Sequence, residues 1–256
     1  MSTRRLILFI LSLLLLAVFL YAAVHIRHEV EIASFSTSIE DRTEDQISNL
    51  QLAASRIDGY VLKPGDVFSF NEVVGERLQS WGYKGAPTIY HGRMIYTPGG
   101  GLCQLSSTLY NGALLAGFEI IERTPHVWTI NSVGPGRDAA ILYSGKASLD
   151  LKFRNNYNFP AKLSVEIREK KIILRVLAAE KPDYDIYIDV NVLQVFPAPR
   201  YPNFPRGQDE RSTSTPKGKD GFKVKVYRVF SKNGKIVKRE TISVDRYEPV
   251  PGGLTN

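Results

Sequence analysis

The sequence has little of what builds disulfide or metal frameworks. Its 256 residues include one cysteine and four histidines. One cysteine excludes a disulfide within the chain, and the sequence shows no cluster of ligand residues with the spacing of a metal site. No basic cluster with interleaved aromatic residues is present, which argues against nucleic acid as a partner. We therefore expect no metal, no cofactor and no nucleic acid. The formal charge of +7 suits an anionic envelope or membrane surface, although solubility alone would also account for it.

The longest hydrophobic run lies at the N-terminus. Arg4 and Arg5 precede the uncharged segment Leu6–Val24, which is long enough to cross a hydrocarbon core of ~30 Å as a helix. Positive charge before the run favours a cytoplasmic N-terminus and an exported C-terminal part. A cleaved signal peptide, which would release the protein, is the alternative. Because Tyr21-Ala22-Ala23 matches a cleavage site poorly, we predict an uncleaved membrane anchor and an extracytoplasmic body.

The remaining pattern predicts an α+β fold, with mixed and mostly antiparallel sheet packed against a few helices. Segment 31–39 alternates like a strand, and 41–60 has helical spacing that starts with a capping box at Thr43 and Gln46. Two hairpins are predicted, at 161–177 and, around Asn233-Gly234, at 222–245. We expect four parts: a cytoplasmic tip with the anchor (1–29), a main domain (30–180), a strand followed by a proline-rich linker (181–218) and a small C-terminal hairpin module (219–256).

The only cysteine lies in TPGGGLCQLSSTLYNGALLAG, residues 97–117. The helical pattern begins at Cys103 or Gln104, and a thiol at a helix N-terminus has a lowered pKa because unpaired amides stabilise the thiolate. The preceding Gly99, Gly100 and Gly101 let the backbone approach a substrate closely, and their amides are candidates for an oxyanion hole. Cys103 is thus a candidate nucleophile. The alternatives are a disulfide between two chains and an inert buried cysteine, which is the commoner structural use.

A cysteine nucleophile needs a base. His126 follows the helix and a short predicted strand, so a returning chain would bring it to Cys103, and Asp138 would orient its ring. Each of these residues also has an ordinary structural alternative, which for Asp138 is a turn cap. Gln104, Ser106 and Ser107 are candidates for binding the oxyanion or substrate, or for hydrogen bonds within the helix.

Several ordered motifs resemble the VanW-like family of envelope proteins. They span roughly residues 34–178 and include Ala53-Ala54-Ser55-Arg56-Ile57-Asp58-Gly59, Pro64-Gly65-Asp66-Val67-Phe68-Ser69-Phe70-Asn71-Glu72, Gly99-Gly100-Gly101-Leu102-Cys103-Gln104-Leu105-Ser106-Ser107-Thr108-Leu109-Tyr110-Asn111, Pro125-His126, Gly136-Arg137-Asp138-Ala139 and Asp150-Leu151-Lys152-Phe153-Arg154-Asn155. The C-terminal hairpin is similar, more weakly, to a G5-type β module.

The resemblance implies a cell-wall protein with peptidoglycan stem peptides as partners. Some members act like L,D-transpeptidases, in which a cysteine forms a thioester with a stem peptide and passes the acyl group to an amine. Carried over, Cys103 is the nucleophile and His126 the base. The family pattern commonly reads His-x-His-Ser where this chain has Thr124-Pro125-His126-Val127, and an inactive protein follows if the missing histidine is the base. A non-catalytic peptidoglycan-binding or scaffolding module and a peptide hydrolase are the alternatives.

Overall fold

The computed structural model describes residues 29–90, 93–144, 147–199 and 218–250. The predicted anchor, Leu6–Val24, and most of the predicted linker lie outside the described residues. Among those that are described, none of the helices has the length and apolar character needed to cross a membrane. The described chain is α+β, with helices packed on several antiparallel sheets.

The described chain contains fourteen strands, three α-helices and one short 3-10 helix. In chain order these are β1 (Val30–Ser38), α1 (Glu44–Ile57), β2 (Val61–Leu62), β3 (Val67–Ser69), α2 (Phe70–Val74), the 3-10 helix (Gln79–Trp81), β4 (Gly85–Tyr90), β5 (Arg93–Pro98), α3 (Leu102–Leu115), β6 (Glu119–Glu122), β7 (Leu142–Ser144), β8 (Ala147–Leu149), β9 (Lys152–Arg154), β10 (Ala161–Arg168), β11 (Lys171–Ala178), β12 (Asp185–Phe196), β13 (Gly221–Lys232) and β14 (Lys235–Tyr247).

The largest sheet has the strand order β1-β11-β10-β2, with antiparallel pairing throughout. Every second residue of β10 and β11 faces the core, as the period of a half-buried strand requires. Helix α3 packs on β1 and β11, and α1 packs on β10. At the crossing of α3 with β11, a Cβ on Gly112 would lie 2.1 Å from the Leu174 side chain, so only glycine allows this close approach.

A smaller sheet of order β3-β9-β6 closes the core at the end of α3. Three phenylalanine rings, from β3, from β9 and from the residue before β6, form a row. Phe153 stacks on Phe68 with 4.7 Å between ring centres and on Phe118 with 5.8 Å. All three side chains have no exposed surface. This apolar row fixes β6, the strand that leads directly into Arg123 and His126.

The C-terminal element is a three-stranded antiparallel sheet of order β12-β13-β14. The predicted hairpin is present, and its turn residues Asn233 and Gly234 both have positive φ, as a tight hairpin turn requires. The description of this element as a hairpin was incomplete, because β12, which the sequence analysis placed with the linker, pairs along the whole length of β13.

The capping box predicted at the start of α1 is confirmed. The Thr43 hydroxyl accepts a hydrogen bond from the Gln46 amide, and the Gln46 side chain accepts one from the Thr43 amide. The Gln46 side-chain amide also donates to the carbonyl of Pro87 on β4, at 3.0 Å. This hydrogen bond therefore connects the start of α1 to β4, the strand that contacts Gly100.

Thr43→Ala is expected to lower the free energy of unfolding by about 1 kcal/mol, because one amide of the first helical turn loses its acceptor. Urea unfolding followed by circular dichroism measures the change. Thr43→Ser keeps the hydroxyl and should stay close to the wild-type stability. An equal loss in both variants would show that the threonine methyl group, and not the cap, stabilises this end of α1.

Candidate functional site

The glycine run is fixed by the packing around it. A Cβ on Gly100 would lie 2.4 Å from the carbonyl oxygen of Ala86, and one on Gly99 would lie 2.6 Å from Cγ of Arg77. Gly99 and Gly101 also have φ values of +78° and +99°, in the left-handed region. Each of the three positions therefore requires glycine for the chain to turn from β5 into α3.

Cys103 lies in the first turn of α3, as predicted, and its side chain is half-buried. Its Sγ lies 3.8 Å from the carbonyl oxygen of Ile141, to which the thiol donates. The N-cap residue of the helix is Gly101, which offers no side chain to the first amides. Among the described residues, neither the Gly101 amide nor the Cys103 amide has a hydrogen-bond acceptor.

The structure brings His126 and Asp138 to Cys103. Oδ2 of Asp138 is 2.5 Å from Nδ1 of His126 and accepts a second hydrogen bond from the His126 backbone amide at 2.7 Å. The side chain of His126 is 21% exposed, whereas that of Asp138 is 2% exposed. Because Nδ1 is held by the carboxylate, Nε2 is the ring nitrogen left for the thiol.

The three groups shift one another's pKa values. Burial alone would raise the pKa of the Cys103 thiol, but the neighbouring His126 imidazole outweighs burial and lowers it. Burial alone would lower the pKa of His126, but Asp138 and Cys103 together raise it to about 10. Burial would raise the pKa of Asp138, yet His126 and Arg123 hold it below its usual range. Each shift stabilises the charged form of its group, so the site favours a thiolate beside an imidazolium more than the isolated groups would.

The opposite edge of the Asp138 carboxylate contacts residues that the sequence analysis did not select. Oδ1 accepts from Nη2 of Arg123 at 3.0 Å and from the phenol of Tyr247 at 2.5 Å. Arg123 precedes the predicted base by three residues and belongs to the same short segment. Tyr247 lies 109 residues from Asp138 along the chain, so no local pattern pointed to it.

Arg77 is a second residue that the sequence analysis missed. Its guanidinium lies over the rings of Phe70 and Tyr143, at 5.5 and 5.3 Å, and its Nη2 donates to the side-chain oxygen of Asn71 at 2.7 Å. Its positive charge contributes to the lowered pKa of Cys103. Arg77 sits against Gly99, before α3, and no spacing in the sequence predicts that contact.

The structure gives three predicted binding side chains other partners. The Gln104 amide nitrogen donates to Thr37 and Ser38, and its oxygen accepts from Arg42. These contacts agree with the alternative in which the three side chains make hydrogen bonds within the fold, since buried hydroxyl and amide groups pair with fixed partners, and their binding of an oxyanion or substrate stays a prediction. Ser106 and Ser107 instead bind the backbone of Cys103 and Ala139.

These serine contacts still shape the site. The Ser106 hydroxyl donates to the Ala139 carbonyl at 2.7 Å, and the Ser107 hydroxyl accepts from the Ala139 amide at 3.0 Å. One turn later, Asn111 donates to the carbonyl of Arg137 at 2.7 Å. The helix that carries Cys103 thus holds both residues next to Asp138 and fixes the distance between the Cys103 thiol and the carboxylate.

A family described as VanW like protein matches residues 45–177 of this sequence. The chain belongs to the VanW-like family. A second match, to the G5 domain, covers residues 202–252 and includes β13 and β14, so the similarity that the hairpin suggested weakly is now found by an independent comparison. Residues of both matched parts therefore bind the Asp138 carboxylate: His126 and Arg123 from the VanW-like part and Tyr247 from the G5-like part.

Two curated relatives of this VanW-like chain were found. Uncharacterized protein YoaR of Bacillus subtilis (strain 168) is 39% identical over 130 residues, which are 51% of this chain and 42% of the relative. Vancomycin B-type resistance protein VanW of Enterococcus faecalis (strain ATCC 700802 / V583) is 33% identical over 144 residues, 54% of this chain and 51% of the relative. The chain thus spans about half the length of the curated relatives it matches. No solved structure matches it.

The departures from the VanW-like pattern lie beside the site. Thr124 forms a β-bridge with Ala140, and the carbonyl of Val127 accepts from the amide of Glu248. The histidine retained between them, His126, is the one that contacts Asp138 and lowers the thiol pKa. The missing histidine and hydroxyl are therefore not needed to form this pair.

The pH midpoint for reaction of Cys103 with iodoacetamide should lie below that of an ordinary thiol, since the pKa of Cys103 is lowered. Because the chain has a single cysteine, the alkylation rate at each pH reports this thiol alone. His126→Gln removes the imidazolium and should move the midpoint of the profile upward. An unchanged midpoint in His126→Gln would show that the histidine does not stabilise the thiolate.

Proposed function

We propose that this protein is an extracytoplasmic, membrane-anchored cell-wall protein that transfers acyl groups between peptidoglycan stem peptides in the manner of an L,D-transpeptidase. One observation carries the proposal. Cys103, His126 and Asp138 form a row in which the pKa of the thiol is lowered and that of the imidazole is raised. A thiolate beside an imidazolium is the resting state of a cysteine acyltransferase.

The cell-wall setting is supported by three features. One relative is named a vancomycin B-type resistance protein, and the family resemblance implies a cell-wall setting. The G5 match at residues 202–252 favours attachment to the wall. The segment Leu6–Val24 has the length and composition of a membrane anchor with a positive cytoplasmic flank. Together these features support the proposal that the site lies next to newly made wall.

In the first half of the reaction, the Cys103 thiolate attacks the carbonyl carbon of a stem-peptide amide. The oxyanion that forms is bound by backbone amides, for which the unpaired amides of Gly101 and Cys103 are the candidates. His126 then gives its Nε2 proton to the leaving amine as the carbon–nitrogen bond breaks. A thioester on Cys103 remains, and His126 is neutral.

In the second half, the amine of another stem peptide attacks the thioester. Neutral His126 takes a proton from that amine, a new amide bond forms, and Cys103 leaves as the thiolate. Asp138 stays ionised throughout and stabilises each imidazolium through Nδ1. Water in place of the amine would give hydrolysis by the same steps, and access of the acceptor decides between the two outcomes.

A non-catalytic peptidoglycan-binding module is the second candidate. The G5 match favours it, since binding to the wall needs no reactive thiol. In that case the His126–Asp138 contact would serve only to hold the segment 123–127 against the loop 134–138. The two candidates differ in whether a covalent bond to Cys103 ever forms.

Full-length protein in detergent, incubated with disaccharide-tetrapeptide stems, is expected to acquire an acyl adduct on Cys103 and to release cross-linked dimers. Mass spectrometry of the protein and of the products measures both. Cys103→Ala should abolish adduct and dimers. His126→Gln should slow adduct formation by at least about a hundredfold, the usual contribution of a general acid–base group.

Two other results would identify one of the alternative functions, a hydrolase or a binding module. Shortened monomers with an adduct, but without dimers, identify a hydrolase. Equal binding of the stems by wild type and Cys103→Ala, with no adduct in either, identifies a binding module and refutes acyl transfer.

A further inference from the structure

We propose that the C-terminal sheet β12-β13-β14 is an integral part of the catalytic site, with Tyr247 as the positioning residue for Asp138. The inference rests on the proposed function for its catalytic meaning, but its geometry is independent of the substrate. It assigns to the part of the chain that resembles a G5 domain the role of positioning Asp138. Neither wall binding nor the family match implies this role.

The hydrogen bonds of Tyr247 have a defined direction. Its phenol oxygen accepts a hydrogen bond from the Gly136 amide at 2.7 Å. A backbone amide nitrogen can only donate, so the phenol proton is not used in this bond. The phenol proton is therefore free to point to Oδ1 of Asp138, 2.5 Å away. The Tyr247 side chain is fully buried, so water does not compete for either bond.

Arg123 links the same carboxylate to the sheet a second time. Its Nη2 donates to Oδ1 of Asp138 at 3.0 Å, while its Nη1 donates to Oδ2 of Asp245 at 2.6 Å. The side chains of all three residues are at most 5% exposed. Asp245 and Tyr247 are two residues apart on β14 and point to the same side of the strand. Asp245 binds Arg123, and Tyr247 binds Asp138, which is the ion-pair partner of Arg123.

The packing of the sheet on the site is close. A Cβ on Gly136, which has φ of +81°, would lie 2.5 Å from Cγ2 of Val226 on β13. The amide of Glu248 donates to the carbonyl of Val127, next to the base, at 2.8 Å. The sheet therefore touches the segments that carry Asp138 and His126, and a shift of the sheet would move both.

The sheet also holds the far end of the cysteine helix. Arg228 on β13 is 7% exposed and donates to the carbonyl of Phe118 at 2.6 Å, just beyond α3. A cation at the C-terminal end of a helix interacts favourably with its dipole. One sheet thus contacts the helix that carries the nucleophile, the loop that carries the base and the carboxylate that orients it.

Four donors occupy the Asp138 carboxylate, two from His126 on Oδ2 and one each from Arg123 and Tyr247 on Oδ1. With both edges bound, the carboxylate cannot rotate, and the imidazole that it holds cannot tilt away from Cys103. Loss of the phenol leaves one donor on Oδ1 and allows the carboxylate to turn. The orientation of His126 toward the thiol then becomes variable.

The test is Tyr247→Phe, with Tyr187→Phe as the matched control, because Tyr187 is a half-exposed tyrosine of the same sheet. The readout is the exchange rate with water of the His126 Nδ1 proton, followed by NMR of full-length protein labelled with ¹⁵N-histidine and assigned through His126→Gln. Tyr247→Phe should speed this exchange by about tenfold, the factor that corresponds to the free energy of one hydrogen bond to a charged group. Tyr187→Phe should leave it unchanged.

Where acyl transfer is detected, Tyr247→Phe should also lower the rate constant of adduct formation by a similar factor without changing the KM for the stem. If proton exchange is faster in Tyr247→Phe but wild type shows no acyl transfer, the proposed function is refuted and the positioning role of Tyr247 stands. A lower free energy of unfolding with unchanged exchange and unchanged adduct formation would overturn the inference, because Tyr247 would then be structural only.

A measurement on the wild-type protein needs no variant. The Tyr247 hydroxyl proton should exchange slowly enough to be seen and should show a nuclear Overhauser effect to the Gly136 amide. Should no such resonance exist in folded wild-type protein, the proposed hydrogen bond is refuted even if Tyr247→Phe cannot be obtained folded.

Discussion

The arrangement of this site depends on one buried carboxylate, that of Asp138. An ionised carboxylate that is 1% exposed is unstable unless every lone pair finds a donor. The chain supplies these donors from two distant places: the segment after β6, which carries Arg123 and His126, and β14, which carries Tyr247. Because the cost of leaving one donor out is high, the need to satisfy this single charge fixes the positions of both segments relative to the loop that carries Asp138.

The same constraint explains why the polar side chains of α3 are buried. A helix of this kind would ordinarily present apolar residues to its neighbours. Here Ser106, Ser107 and Asn111 have no exposed surface and bind the backbone on either side of Asp138. Polar contacts have directions, which apolar packing does not have, so they can hold a loop at a set distance from the thiol.

Local structure was predictable from the sequence because its causes are local. The capping box at Thr43, the helix after the glycine run and the Asn233-Gly234 turn follow from the chemistry of neighbouring residues. Cys103, His126 and Asp138 could be selected because a lone cysteine limits the choice of base and orienting residue. Tyr247 could not be selected, since its partner is 109 residues away. For the same reason the partners of Gln104 on β1 and at Arg42 could not be predicted, because tertiary packing sets them.

The pairing of β12 with β13 and the contact of β14 with Asp138 have a consequence for the order in which the molecule matures. A ribosome makes Cys103, His126 and Asp138 long before it makes Tyr247. Until β14 has been synthesised and has docked, Oδ1 of Asp138 lacks its phenol partner and Arg123 lacks Asp245. The carboxylate of Asp138 therefore gains its full set of donors only after the whole sheet is in place, at the end of synthesis.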